Sequence, residues 1–213
     1  MELLASEYLF DVRFGTETHR VLEGHQLGHL DDGVDRAGLT YHAVNPRILR
    51  RALDTLRDRL RINAWDGSFV DFGSGKGRAL ILAAEHGFPK VIGVECSQLL
   101  HERCDGNLQR AWTRRRLSAE YELHFQDAAT FTVPDDSTVW FWFNPFDVDV
   151  ALRTVGHMVE SLRRRSRRAH LLYANPVHAD VLLRQGFSIV GEVGASARHV
   201  DVLILQLDVA RAT

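Results

Sequence analysis

The residues best suited to chemistry crowd between Phe69 and Ser97. Val70-Asp71-Phe72-Gly73-Ser74-Gly75-Lys76-Gly77-Arg78 sets three alternating glycines between an apolar run and a helical pattern. Glycine lacks a Cβ, so this loop can turn sharply and let a ligand approach the backbone. Two phosphate-binding motifs fail on spacing. A P-loop needs Ser or Thr after Gly-Lys and a glycine five residues before it, where this chain has Gly77 and Val70. A dinucleotide fingerprint needs its third glycine one residue later than Gly77. Asp71, just before the loop, would repel a pyrophosphate and attract a cation. A second acid, Glu95, ends Val91-Ile92-Gly93-Val94-Glu95, 24 residues after Asp71. A carboxylate at that place can accept hydrogen bonds from both ribose hydroxyls of an adenosine.

Asp71 to Gly77 together with Glu95 resembles motif I and its successor in class I S-adenosylmethionine-dependent methyltransferases, over roughly residues 40 to 207. The likeness extends to a bacterial group of small methyltransferases with a tyrosine-containing segment ahead of the first helix. It implies a Rossmann-like, doubly wound α/β fold with seven strands and an antiparallel C-terminal hairpin, and S-adenosylmethionine as cofactor. Gly73, Ser74, Gly75 and Gly77 would line that cofactor. Asp71 would help place its methionine end, and Glu95, with Cys96 beside it, its ribose. Asp127 would meet the adenine amino group and Ala128 the ring. Capping of a short helix is the other reading of Asp127.

The methyl acceptor is addressed by two other segments. Asn144-Pro145-Phe146 follows the apolar run Trp140 to Phe143 and resembles, shortened by one proline, the Asn-Pro-Pro-Tyr/Phe motif of methyltransferases acting on amino nitrogens. There an Asn oxygen and a Pro carbonyl accept from a planar amine while the aromatic ring packs on it, a positioning effect. By the same resemblance Asn144 also borders the cofactor, and Tyr41 sits over the transfer site with residues 1 to 44 as a lid or substrate cap. These four, Tyr41, Asn144, Pro145 and Phe146, are the candidate catalytic residues. The expected acceptor is a nitrogen, with a protein or peptide amine favoured over a nucleobase. O- or C-methylation of a small metabolite and a non-catalytic cofactor-binding protein are the alternatives.

The remaining polar groups point less sharply. Lys76 reads first as a solvated charge at the loop tip; Arg78 reads as a helix-start charge or a cover for the cofactor carboxylate. His25 and His29 lie near Asp31 and Asp32, but the ligand spacings of metal sites are missing, so no metal is expected. The runs Arg114 to Arg116 and Arg163 to Arg168 read as solvated helix ends.

Elements that could position these groups follow from periodicity. Asn45-Pro46 starts a helix whose Ile48, Leu49, Ala52, Leu53, Leu56 and Leu60 share a face. Strands are predicted at 69–72, 90–95, 120–126, 138–143, 169–174, 187–193 and 198–207, with helices at 77–87, 97–111, 148–165 and 177–185. Strict alternation gives a parallel sheet covered on both faces; the last two strands, with no helix between, give the hairpin. Residues 1–62 would form a cap and first helix, and 63–213 the cofactor-binding domain. The chain has 213 residues, a formal net charge of −2 and two cysteines, Cys96 and Cys104. That balance does not favour a nucleic-acid partner, and the cysteines are too few for a disulfide framework. With no signal-like start and no 18-residue apolar run, a cytoplasmic protein without membrane spans is expected.

Overall fold

The computed structural model describes residues 2–27, 29–30, 40–61, 66–143, 147–194 and 201–207. In chain order the elements are α1 (Glu2–Phe14), β1 (Leu22–Glu23), β2 (Thr40–Tyr41), α2 (Pro46–Asp54), β3 (Ser68–Phe72), α3 (Arg78–Glu85), β4 (Lys90–Glu95), α4 (Gln98–Arg115), β5 (Glu120–Phe125), β6 (Ser137–Phe143), α5 (Val148–Arg164), β7 (His170–Ala174), α6 (Ala179–Arg184), β8 (Phe187–Val193) and β9 (Val202–Leu207). The seven long strands run in the order β5-β4-β3-β6-β7-β9-β8. β5, β4, β3, β6 and β7 are mutually parallel, and β9 pairs antiparallel with both β7 and β8. The expected doubly wound sheet with a reversed C-terminal hairpin is therefore the fold observed. Most of the Gly-Ala-Ser turn assigned to that hairpin lies outside the described residues.

Successive strand residues face opposite sides, and the core divides accordingly. Phe69, Val91, Val139 and Phe141 pack with α1 to α4, while Val70, Phe72, Ile92, Val94, Trp140 and Trp142 pack beneath α5 and α6. Asp71 shares the side of Phe69, so its carboxylate is directed toward the α3 and α4 layer. The chain winds from β3 to β4 and β5 in one direction, and β6 lies on β3's other side. The carboxyl ends of β3 and β6 thus flank the topological switch point, where open sheets hold ligands.

Local sequence accounts for the flanking helices. Asn45 caps α2 by accepting from the Arg47 N–H at 3.0 Å, with Pro46 in the first turn, as its residues predict. Ser97 caps α4 by accepting from the Leu100 N–H, and Asp147 caps α5 by accepting from the Val150 N–H at 2.9 Å. The N-terminal stretch is more regular than expected: α1 buries Phe10 and Phe14 against α2 and α4, and Gly15 ends it at φ +72°. No helix among the described residues is long and apolar enough to cross a membrane.

Candidate functional site

Asp71 stands one residue before the end of β3, paired across the sheet with Gly93 and Phe141. The loop after it folds back over the end of β4: the N–H groups of Gly73 and Ser74 both donate to the Val94 carbonyl. Gly73, Gly75 and Gly77 all have positive φ. At two of them a side chain would also collide. A Cβ on Gly75 would lie 2.3 Å from Tyr41 Cε2, and one on Gly77 would lie 2.5 Å from Leu108 Cδ1.

Glu95, the last residue of β4, joins this loop to the start of α4. One carboxylate oxygen accepts from the Gly75 N–H at 2.8 Å and the other from the Ser97 N–H at 2.9 Å. The Cys96 thiol also donates to the oxygen that Ser97 holds, at 3.8 Å, so the oxygen facing Gly75 keeps a second lone pair for a ligand hydroxyl. Glu95 is buried, and desolvation pushes its pKa up against the pull of those N–H groups. Asp71 is only 3% exposed and accepts no hydrogen bond from the described residues; burial, then the Glu95 charge, hold its pKa well above the usual carboxylate range. The Ser74 hydroxyl is buried as well, with the Cys104 thiol beside it and no conventional hydrogen-bond partner among the described residues.

The thiols beside these acids are quiet. Burial, with Glu95 and Asp127 nearby, pushes Cys96 up to about 12, and burial raises Cys104 as well. Both stay protonated at neutral pH and are poor nucleophiles. Asp127 caps the short turn Ala128–Thr130 by accepting from the Ala129 N–H at 2.9 Å, and Ala128 is packed in the core under α5. The helix-cap reading of Asp127 is therefore present in the structure, and its charge is close enough to act on Cys96.

The two basic residues of the loop depart from the solvated reading. Lys76 has no exposed side-chain surface. Its ammonium donates to Glu17 Oε1 at 3.0 Å and the Arg20 carbonyl at 2.9 Å, and lies 5.1 Å from the centre of the Tyr41 ring. Arg78 is 2% exposed and donates from Nε to Thr18 Oγ1 and from one terminal nitrogen to the Val44 carbonyl. Both charges are turned inward because an N-terminal strap crosses the loop. Asp11 shapes that strap by accepting from the backbone N–H groups of Thr18 and His19 and from the Thr16 and Thr18 hydroxyls. The β1–β2 pair sets Leu22 opposite Tyr41, and the Tyr41 hydroxyl donates to the Thr18 carbonyl at 2.8 Å. Burial raises the Tyr41 pKa, so the phenol stays neutral, and its ring lies against Gly75.

Tyr41, Asp71, Gly73, Ser74, Gly75, Gly77, Glu95 and Cys96 are thus gathered at one end of the sheet, with Asp127 near Cys96. Asn144, Pro145 and Phe146 lie outside the described residues; the described strand before them, β6, ends at that same edge. His25 and His29 are described but Asp31 and Asp32 are not, and among the described residues no group of three His, Cys, Asp or Glu side chains could hold a metal ion. Sequence reasoning missed Asp11, Glu17, Thr18 and Asn107, which tie strap to loop. Their signal was faint: a glycine stop at Gly15 followed by Thr16-Glu17-Thr18.

The fold has counterparts among solved structures. The methyltransferase domain of bacterial CtHen1-C matches with a TM-score of 0.55 and 15% identity, over 76% of this chain and 98% of that one. HI0767 from Haemophilus influenzae, provisionally named a methylase, matches at 0.52 and 18% identity, over 76% and 99%. TYW2 of P. horikoshii, solved in complex with MeSAdo, matches at 0.51 and 14% identity, over 84% and 69%. The fold is the Rossmann-like methyltransferase fold. No protein-family profile and no curated protein sequence matches the chain.

Proposed function

We propose that this chain is an S-adenosylmethionine-dependent methyltransferase acting on a nitrogen, with a protein or peptide amine as the favoured acceptor. The observation that carries the cofactor reading is Asp71. A carboxylate buried beside a glycine loop, repelled by Glu95 and with no donor among the described residues, calls for a cationic ligand. S-adenosylmethionine suits that demand, with a sulfonium and an ammonium close together. Gly73, Ser74, Gly75 and Gly77 would line it, Asp71 would face its cationic end, Glu95 would accept from the ribose, and Asp127 with Ala128 would bound the adenine. When bound, the cofactor supplies a methyl group on a positively charged sulfur, a strong electrophile. The protein's task is then to exclude water and orient the acceptor. The Tyr41 ring closes the loop on the strap side.

Asn144-Pro145-Phe146, directly after β6, supports nitrogen as the target. An Asn oxygen and a Pro carbonyl are acceptors only, and they suit a neutral amine whose N–H groups they hold while its lone pair stays free. The test has two parts. Calorimetry with S-adenosylmethionine should give saturable binding; absence of binding overturns the enzyme reading. Transfer of a tritiated methyl group into lysate, peptide and RNA pools should label a nitrogen in protein or peptide. Label on RNA, or on an oxygen or carbon of a small molecule, overturns the acceptor assignment. Asn144→Ala should lower turnover about 100-fold or more while leaving cofactor binding intact.

A further inference from the structure

We propose that Lys76 is a positioning residue that couples the cofactor loop to the Glu17–Arg20 strap and, through the strap, fixes the Tyr41 ring against Gly75. The proposal rests on the cofactor reading, because ligand contact with Gly73, Gly75 and Gly77 is what would immobilise the backbone carrying Lys76.

Full burial of an ammonium is costly unless hydrogen-bonded partners offset it. A lysine at a loop tip ordinarily reaches solvent; this one is directed into the protein, where its partners all belong to the strap and to β2. Glu17 and the Arg20 carbonyl take two of its three protons, and the Tyr41 ring lies beside it. One side chain of α4 holds both halves of the junction. Asn107 donates to the Lys76 carbonyl at 3.0 Å and to the Glu17 carbonyl at 3.3 Å, and accepts from the Glu17 N–H at 3.1 Å. The strap in turn carries the Thr18 carbonyl that accepts from Tyr41. Gly75, with no Cβ, lets the ring lie on the loop. Loop, Lys76, strap and ring therefore form one closed circuit of contacts. Anything that orders the loop orders the ring, and by linkage the reverse holds.

Hydrogen exchange on the full chain, with S-adenosylhomocysteine as probe, tests this at particular amides. The Gly75 N–H reports the loop through its bond to Glu95, and the Glu17, Thr18 and His19 N–H groups report the strap through Asn107 and Asp11. In the wild type the probe should slow exchange at both places, by about five-fold or more at the strap. In Lys76→Met, where Asn107 still bridges the loop backbone to Glu17, it should slow Gly75 as before but the strap clearly less than in the wild type. Glu17→Ala, at a half-exposed position that leaves the core untouched, should weaken the strap response in the same sense. Equal strap protection in the wild type and both variants overturns the coupling, as does a wild-type strap that ignores a probe that protects Gly75. Lack of protection even at Gly75 instead overturns the cofactor reading.

Discussion

At the scale of single residues, the site turns on two buried carboxylates, Asp71 and Glu95, that form no salt bridge among the described residues. Asp71 and Glu95 both have raised pKa values, with burial the first cause in each and Glu95 the second for Asp71. For an acid the sign runs against the folded state. As pH climbs past 3.8 the unfolded chain ionises Asp71 freely while the folded chain holds its proton, so folding stability without ligand declines above that value. Asp71→Asn removes this penalty. It should raise the ligand-free melting temperature at pH 7 and abolish the further rise that S-adenosylmethionine gives the wild type, both readable by thermal shift. The same shift makes binding proton-linked, because a cation favours the ionised carboxylate and expels its proton. Calorimetry in buffers of different ionisation enthalpy should show proton release that Asp71→Asn removes, and affinity should fall as pH is lowered. Proton uptake on binding would contradict the assignment.

At the scale of elements, legibility depended on whether a segment's pattern came from itself or from what it packs against. β3, the glycine loop and β4 read correctly because their apolar runs are buried on both faces and their glycines sit at left-handed positions. α2 was readable from Asn45 and Pro46, cap and first-turn residues that act locally. α1 was not readable: Phe10 and Phe14 are buried, but Tyr8, Leu9 and Val12 of the same helix are exposed, so no single apolar stripe marks its face. The fate of Lys76 was hidden for a related reason, since its acceptors lie 59 and 56 residues away. Two substitutions test the element-level account. Asn45→Ala removes the α2 cap and a bond from Asn45 to the Ser6 hydroxyl, and should cost about 1 kcal/mol in chemical denaturation. Gly75→Ala places a methyl group into the Tyr41 ring at a backbone φ of +54°. It should cost about 1–2 kcal/mol for the left-handed backbone alone, and it should weaken cofactor binding by displacing loop and ring together.

At the scale of the whole molecule, the end of the sheet that carries the glycine loop is separated from groups that serve stability. The arginine run after α5 belongs to the second class. Arg164 pairs with Asp135, and Arg167 donates to the Pro134, Ser137 and Ser161 carbonyls, closing the turn that starts β6. His170, at the start of β7, is the clearest case. It is 1% exposed, its Nδ1 has no partner among the described residues, and burial lowers its pKa from 6.5 to about 4. The neutral imidazole is the form the fold accepts. Above 6.5 the group is neutral in both states and its contribution is fully present. As pH falls below 6.5 the unfolded chain takes up a proton that the folded chain refuses, and stability is lost progressively until about 4. A shift of this size corresponds to about 3 kcal/mol across that interval. His170→Phe, which cannot take up the proton, should lose correspondingly less over the same range in urea denaturation followed at several pH values. His170 stands at a strand start remote from the glycine loop, so cofactor binding at neutral pH should be the same in His170→Phe as in the wild type. A variant that stayed as acid-sensitive as the wild type would show that the loss between 6.5 and 4 arises elsewhere.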